Sequence, residues 1–130
     1  EARRMGVTVV VCSCDTKTAT EASLAKTGGY PHRGGPAVVL EGPFAEATLT
    51  DEFWAQTYGA RDVVVCSCQP RTKTTIVESL VRSDPTRVVA MVGASVSAWP
   101  AMRRAHVSCA VPLLDGAGWA TVPVDGRPLA

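Results

Sequence analysis

The chain has 130 residues, of which 46% are hydrophobic and 19% are charged, and its formal net charge is +1. This length and composition are typical of one globular domain and exclude an intrinsically disordered chain. The small net charge argues against a nucleic-acid partner, and no apolar run reaches the roughly 18 residues that a membrane-spanning helix needs, so we expect no direct insertion of this segment into a membrane.

The start of the chain and its cysteines bear on its location. The first residue is Glu1 rather than Met, so we expect the segment to belong to a longer protein, and no apolar region typical of a signal peptide follows it. Five cysteines, with two Cys-Ser-Cys pairs, do not form the pattern of a secreted disulfide framework. They favour free thiols in a reducing, cytoplasmic setting.

Five short runs rich in valine predict β-strands. Continuous β-branched runs are typical of strands that are covered on both faces, as in a parallel sheet. The runs are Val7–Val11, Ala37–Leu40, Val63–Val65, Val88–Val92 and Val107–Val111.

Capping and breaking residues predict helices between most of these strands. Asp15 or Thr16 caps a helix that runs to about Lys26 and ends at Gly28-Gly29. A second, short helix is capped by Thr50 and carries Phe53 and Trp54. A third begins at Pro70 and ends at Asp84-Pro85, with a buried stripe of Ile76, Val77, Leu80 and Val81. A last helix is capped by Ser97 and runs through Met102.

Alternating strands and helices predict an α/β fold of the Rossmann-like kind, with a mostly parallel sheet and helices on both faces. We expect one domain over residues 1–130, with its core at about 5–111. Residues 112–130 are expected to form an irregular tail with one short strand at Ala120–Val124. The functional loops of such a sheet lie at the carboxyl ends of its strands.

Three motifs fall at those strand ends. They are V-C-S-C-D-T-K-T-A-T-E-A-S-L-A at Val11–Ala25, C-S-C-Q-P-R-T-K-T-T-I-V-E-S-L at Cys66–Leu80, and A-M-V-G-A-S-V-S-A-W-P-A-M-R-R-A at Ala90–Ala105. In this order and spacing they resemble the second half of the phosphorylation (P) domain of P-type cation-transporting ATPases. That resemblance, which spans about Met5 to Val111, implies a haloacid-dehalogenase-like fold.

In the first motif, Ser13-Cys14-Asp15 stands where the family has Thr-Gly-Asp. The resemblance implies that Ser13 and Asp15 are relics of a phosphoryl and nucleotide contact. Glycine in the middle of that loop allows close approach of backbone amides, which the side chain of Cys14 opposes. An ordinary helix cap is an equally good interpretation of Asp15.

In the second motif, Pro70-Arg71-Thr72-Lys73 retains the family's P-x-x-K. The resemblance implies that Lys73 is a relic of the lysine that neutralises phosphoryl charge in active relatives. The residue pattern alone favours a different interpretation, a solvated lysine on the first turn of a helix.

In the third motif, residues 93–102 stand for G-D-G-x-N-D-x-P-A-L. The resemblance implies a degenerate magnesium site at Gly93, Ala94, Ser97 and Ala98. Ala94 and Ala98 replace both aspartates of the family motif, and Ser97 replaces its asparagine. A hard divalent cation needs several oxygen ligands, and two alanines supply none. The D-K-T-G-T motif with the catalytic aspartate is absent from the sequence, so the first strand of the fold is expected upstream or is missing.

The resemblance implies a catalytically inactive P-domain-like part of a larger transporter-like membrane protein, at the cytoplasmic face of the membrane, with a structural or regulatory role. The partner is then the rest of that protein. No cofactor is expected for this chain, whereas active relatives use Mg²⁺ and ATP. The alternative is a working phosphoryl-transfer domain that is completed by upstream sequence.

A second alternative is a thiol-based metal site. Residues two apart in a strand share a face, so Cys12 with Cys14, and Cys66 with Cys68, are expected to converge at the carboxyl edge of the sheet. Four thiolates suit zinc. Small apolar filling of an α/β core is the competing interpretation of these cysteines.

Overall fold

A computed structural model describes residues 2–28, 30 and 36–111. The predicted tail at 112–130, with its strand at Ala120–Val124, lies outside the described residues. Short 3-10 turns span Ala2–Met5 and Val96–Ala98. The strands are β1 (Val10–Cys12), β2 (Val38–Glu41), β3 (Val63–Cys66), β4 (Ala90–Gly93) and β5 (Val107–Ala110), and the helices are α1 (Lys17–Lys26), α2 (Gly42–Thr48), α3 (Asp51–Thr57), α4 (Pro70–Ser83) and α5 (Trp99–Met102).

The chain is an α/β protein in which every described strand pair is parallel, as predicted. The described strands form two sheets rather than the single sheet expected from the sequence. One has the order β1-β3-β2, and the other contains β4 and β5. Val63 of β3 lies opposite Val10 on one side and Val38 on the other.

One hydrophobic core joins the two sheets. All four residues of β3 are buried, which fits its central position. Ile76, Val77 and Leu80 of α4 pack in the same cluster as Met91 of β4, while Val81 is half-buried at its margin. Helix α4 is therefore the layer that both sheets share.

Local hydrogen bonds explain where the predicted helices begin. Thr16, not Asp15, caps α1, because its Oγ1 accepts a hydrogen bond from Ala19 N at 3.3 Å. Thr50 caps α3 as predicted, accepting from Phe53 N at 3.1 Å. Pro70 occupies the first turn of α4, where a missing N–H costs nothing.

Helix α2 was not predicted. It follows β2 without a loop, and its first residue, Gly42, sits against the end of β3. A Cβ atom on Gly42 would lie 2.4 Å from the Ser67 carbonyl oxygen. Glycine is needed for this close approach between two segments, a long-range requirement that local propensity does not express.

The last helix also begins differently from the prediction. Ser97 lies inside the 3-10 turn Val96–Ala98 and does not cap a helix; Ala98 precedes the first residue of α5. None of the helices among the described residues has the length and apolar character needed to cross a bilayer.

Candidate functional site

The loops of the first and second motifs are joined by backbone hydrogen bonds at the carboxyl ends of β1 and β3. Ser13 N donates to Val65 O at 2.9 Å, and Cys68 N donates to Ser13 O at 2.8 Å. Ser67 N also donates to Asp15 O at 2.8 Å. The two loops therefore form one continuous surface, although about fifty positions separate them in the sequence.

Ser67 adopts a left-handed backbone conformation, with φ of 52°. A non-glycine residue rarely adopts this conformation, which costs energy that the surrounding contacts must offset. Ser67 is the first residue after β3, and α4 begins three residues later at Pro70.

Lys73 is buried, with 7% of its surface exposed. The interpretation of Lys73 as a solvated residue is therefore wrong. Its Nζ donates to Ser97 Oγ at 3.1 Å, and Ser97 Oγ lies 2.6 Å from Ser95 Oγ. No carboxylate forms an ion pair with Lys73 within residues 2–28, 30 and 36–111. The second and third motifs thus meet at a buried ammonium group with one described hydrogen bond.

The residues that the sequence analysis interprets as a degenerate magnesium site are tightly packed. Ala98 is only 2% exposed, and a Cβ atom on Gly93 would lie 2.5 Å from Ala98 Cβ and 3.3 Å from Met102 Sδ. Ala94 is half-buried beside this contact. The start of α5 therefore rests directly on the end of β4, and alanine methyl groups occupy the positions at which the resembled family has carboxylates.

Ser13 and Asp15 lie on the rim of the site. Ser13 Oγ accepts a hydrogen bond from Asp15 N at 3.1 Å, so its hydroxyl stabilises the loop. Asp15 is exposed, and its carbonyl oxygen, rather than its carboxylate, makes the contact with Ser67. This loop is therefore held by its backbone, and its side chains contribute only a local hydrogen bond.

The four cysteines of the proposed thiol site occupy different environments. Strands β1 and β3 end at Cys12 and Cys66, so the alternation of a strand does not extend to Cys14 and Cys68. Cys66 is fully buried in the core, whereas Cys14 is exposed. No group of three or more His, Cys, Asp or Glu residues able to hold a metal ion occurs in the part of the chain that the structure describes.

Burial makes two of these thiols poor nucleophiles. Desolvation is the largest of the effects that raise the pKa of the Cys68 thiol to about 12, and the nearby Cys12 acts in the same direction. Cys68 Sγ donates to Val65 O at 3.3 Å, which is the hydrogen bond of a protonated thiol. Burial also raises the pKa of Cys12, and the positive charge of Lys73 opposes this shift.

A cavity of about 490 Å³ opens beside Lys73. Its lining includes Val10 and Cys12 of β1, Ala90 and Met91 of β4, and Ile76, Val77 and Leu80 of α4. Sequence reasoning missed this cavity and also missed Ser95. The serine lies within the third motif, but its link to Lys73 through Ser97 depends on how the motifs are brought together.

No model of a known protein family matches the chain, and no curated protein matches it. The resemblance to the P domain therefore rests on the three motifs and on their placement.

Proposed function

We propose that this chain is a catalytically inactive relative of the phosphorylation domain of P-type cation-transporting ATPases, with a structural or regulatory role in a larger membrane protein. One observation carries the proposal. The three motif segments, which are far apart in the sequence, meet around the buried Lys73 at the carboxyl ends of parallel strands. A haloacid-dehalogenase-like arrangement accounts for this convergence.

The side chains at this meeting point explain why we assign no catalysis. Lys73, Ser97 and Ser95 supply a cation and two hydroxyl groups. Ala94 and Ala98 supply no oxygen ligand, and Mg²⁺ in phosphoryl-transfer sites is bound through carboxylates and substrate oxygens. The positive charge can attract an anionic group, but positions 94 and 98 provide no acid to hold the metal that balances phosphoryl charge.

The test is a hydrolysis assay on the 130-residue chain with millimolar Mg²⁺ and either ATP or p-nitrophenyl phosphate. Lys73→Ala removes the buried ammonium, and Lys17→Ala is the matched control because Lys17 is exposed on α1. We expect no turnover above the buffer rate in any of the three proteins. Turnover that Lys73→Ala abolishes and Lys17→Ala retains would refute the inactive assignment.

The second candidate is a working phosphoryl-transfer domain that is completed by sequence outside these 130 residues. The buried ammonium of Lys73 favours it, because its described partner is the neutral Ser97 hydroxyl and a buried charge is costly unless an anion binds nearby. Calorimetric titration of the parent protein with Mg²⁺ separates the two candidates. Stoichiometric Mg²⁺ binding by the parent protein that the 130-residue chain does not show supports the second candidate. Absence of Mg²⁺ binding to the parent protein supports the first.

A further inference from the structure

Two cysteines of the Cys-Ser-Cys pairs meet in the hydrophobic core. Cys68 belongs to the core cluster that also contains Ile76 and Val77 of α4, and Cys12, the last residue of β1, packs against this cluster. Cys66 is fully buried but is not a member of the cluster. The fold therefore brings one cysteine of each pair, Cys12 and Cys68, into the same part of the core.

A shared hydrogen-bond acceptor places these two cysteines next to each other. Val65 O accepts from Cys68 Sγ at 3.3 Å and from Ser13 N at 2.9 Å. Because Ser13 N belongs to the peptide unit that follows Cys12, the Cys68 sulfur lies beside the backbone of Cys12. Cys12 is also the strand partner of Val65. The two thiols thus come from adjacent chain segments, as the short reach of a disulfide requires.

Electrostatic effects indicate the same proximity. Burial raises the pKa of the Cys68 thiol most, the neighbouring Cys12 raises it next, and a hydrogen bond from the Ser13 backbone lowers it. Cys14 has a smaller effect on this pKa than Cys12 has. Cys12 is also half-buried and lines the cavity of about 490 Å³ beside Lys73, so a small oxidant can reach its thiol. The pair therefore combines close contact with access from outside.

We propose that Cys12 and Cys68 are a redox-active thiol pair, which hydrogen peroxide oxidises to an intramolecular disulfide and a small dithiol reduces again. The Cys12 sulfur attacks one oxygen of the peroxide, so that the O–O bond breaks, Cys12 becomes a sulfenic acid and one water leaves. The Cys68 sulfur then displaces the hydroxyl group of the sulfenic acid, which leaves as a second water with the Cys68 proton. The inference goes beyond the proposed function and does not depend on whether the site is catalytic.

The disulfide joins the end of β1 to a residue two positions before α4. It therefore fixes the loop of the first motif against the helix that carries Lys73, and it replaces the hydrogen bond from Cys68 to Val65. Both thiols have a raised pKa, so few of them are thiolates at neutral pH and the oxidation is slow there. The fold selects which cysteines pair, and alkaline solution accelerates the reaction.

The test is oxidation of the 130-residue chain with hydrogen peroxide in mildly alkaline buffer, followed by blocking of the remaining thiols and digestion without reductant. Trypsin separates the two Cys-Ser-Cys pairs into two peptides, residues 5–17 and residues 62–71. We expect a linked product with a mass about 2 Da below that of the two free peptides together. Fragmentation should assign the bond to Cys12 and Cys68, and dithiothreitol should separate the peptides.

Two serine variants provide a matched pair. Cys14→Ser removes an exposed thiol and Cys12→Ser a half-buried one, two positions apart in the chain. We expect Cys14→Ser to retain the linked peptides and Cys12→Ser to lose them. Oxidation of the chain unfolded in guanidinium chloride should give at least about tenfold less of the bond between Cys12 and Cys68, because shorter loops close more readily. The peptides from the unmodified chain decide the question even if Cys12→Ser fails to fold.

Several outcomes overturn the proposal. They are absence of the linked peptides, assignment of the bond to Cys14 or Cys66, loss of the bond in Cys14→Ser, and equal yield from the folded and the unfolded chain. A yield that rises with protein concentration shows a bond between two chains and also overturns it. Peptide mapping measures a different property from the hydrolysis assay, so failure here is distinct from failure of the proposed function.

Discussion

Lys73 Nζ donates a hydrogen bond to Ser97 Oγ at 3.1 Å, across 24 positions of sequence. Ser97 Oγ in turn lies 2.6 Å from the hydroxyl of the exposed Ser95. A buried ammonium group on α4 is thereby connected to the surface through two serines on the turn that follows β4. This contact joins the second and third motifs.

Replacing Lys73 tests the cost of that buried charge. Lys73→Met keeps a flexible chain and removes the ammonium, so we expect the free energy of unfolding to stay the same or rise by on the order of 1 kcal/mol. Lys17→Met, on the exposed face of α1, should change it by less than about 0.5 kcal/mol. Urea denaturation monitored by tryptophan fluorescence measures both values, and clear destabilisation by Lys73→Met alone would contradict this expectation.

The contact between Gly93 and Ala98 predicts a reciprocal pair of substitutions. Gly93→Ala places a methyl group 2.5 Å from Ala98 Cβ, and such overpacking typically costs about 1–3 kcal/mol. Adding Ala98→Gly removes the opposing methyl group, so the double variant should recover part of the loss. A double-mutant cycle from thermal or urea unfolding gives the coupling energy. Additive effects of the two substitutions would show that the methyl groups do not collide.

Cys68 predicts a loss of stability in alkaline solution. Burial raises the pKa of its thiol in the folded protein from 9.0 to about 12, so above pH 9 the unfolded chain releases a proton that the folded chain retains. The contribution of this thiol to stability is complete below pH 9 and falls as the pH rises toward 12. Cys68→Ala should therefore flatten the stability curve over this interval, whereas Cys109→Ala, at an exposed position, should leave the slope unchanged. Equal slopes in Cys68→Ala and the unmodified chain would be inconsistent with the raised pKa.

A buried hydrogen bond in the core predicts a polar effect at Ser79. Trp54 Nε1 donates to Ser79 Oγ at 2.9 Å, and both side chains are buried. Ser79→Ala leaves the indole N–H without its acceptor, which should lower the free energy of unfolding by about 1–3 kcal/mol. Thr75→Ala is the control, because Thr75 Oγ1 bonds only to the Arg71 carbonyl of its own helix. Chemical denaturation compares them, and equal effects would argue against a special role for the indole contact.

Capping residues, prolines and valine runs predicted most of the helices and strands from residues within or next to each element. The cap at Thr50 and the start of α4 at Pro70 were predicted from residues adjacent to each helix. The valine runs located all five described strands, although β1 begins at Val10 instead of Val7. Helix α2 was missed because its position depends on the approach of Gly42 to Ser67, a contact between distant segments.

The candidate site was predicted less well than the elements around it. The motifs identified Lys73 and Ser97 as candidate positions, but the residue pattern favoured a solvated lysine. Burial of Lys73 requires α5 and the turn before it to cover the first turn of α4, and no residue near Lys73 in the sequence carries that information. The expected convergence of four cysteines is partial. Cys12 and Cys14 lie near enough to Cys68 to raise the pKa of its thiol, whereas Cys66 is buried in the core. The expectation assumed that β1 and β3 continue through Cys14 and Cys68, but both strands end earlier.

Local patterns of residues were enough to establish an α/β chain with parallel strands, because caps, breakers and β-branched runs act within a few positions of where they occur. They also show that positions 94 and 98 carry alanine and no carboxylate, and this holds whatever fold the chain adopts. The burial of Lys73 beside Ser97 and the separation of β1 from β4 were decided by the three-dimensional packing. Both depend on which distant segments come into contact, and those contacts are selected by the energy of the whole fold rather than by any short segment.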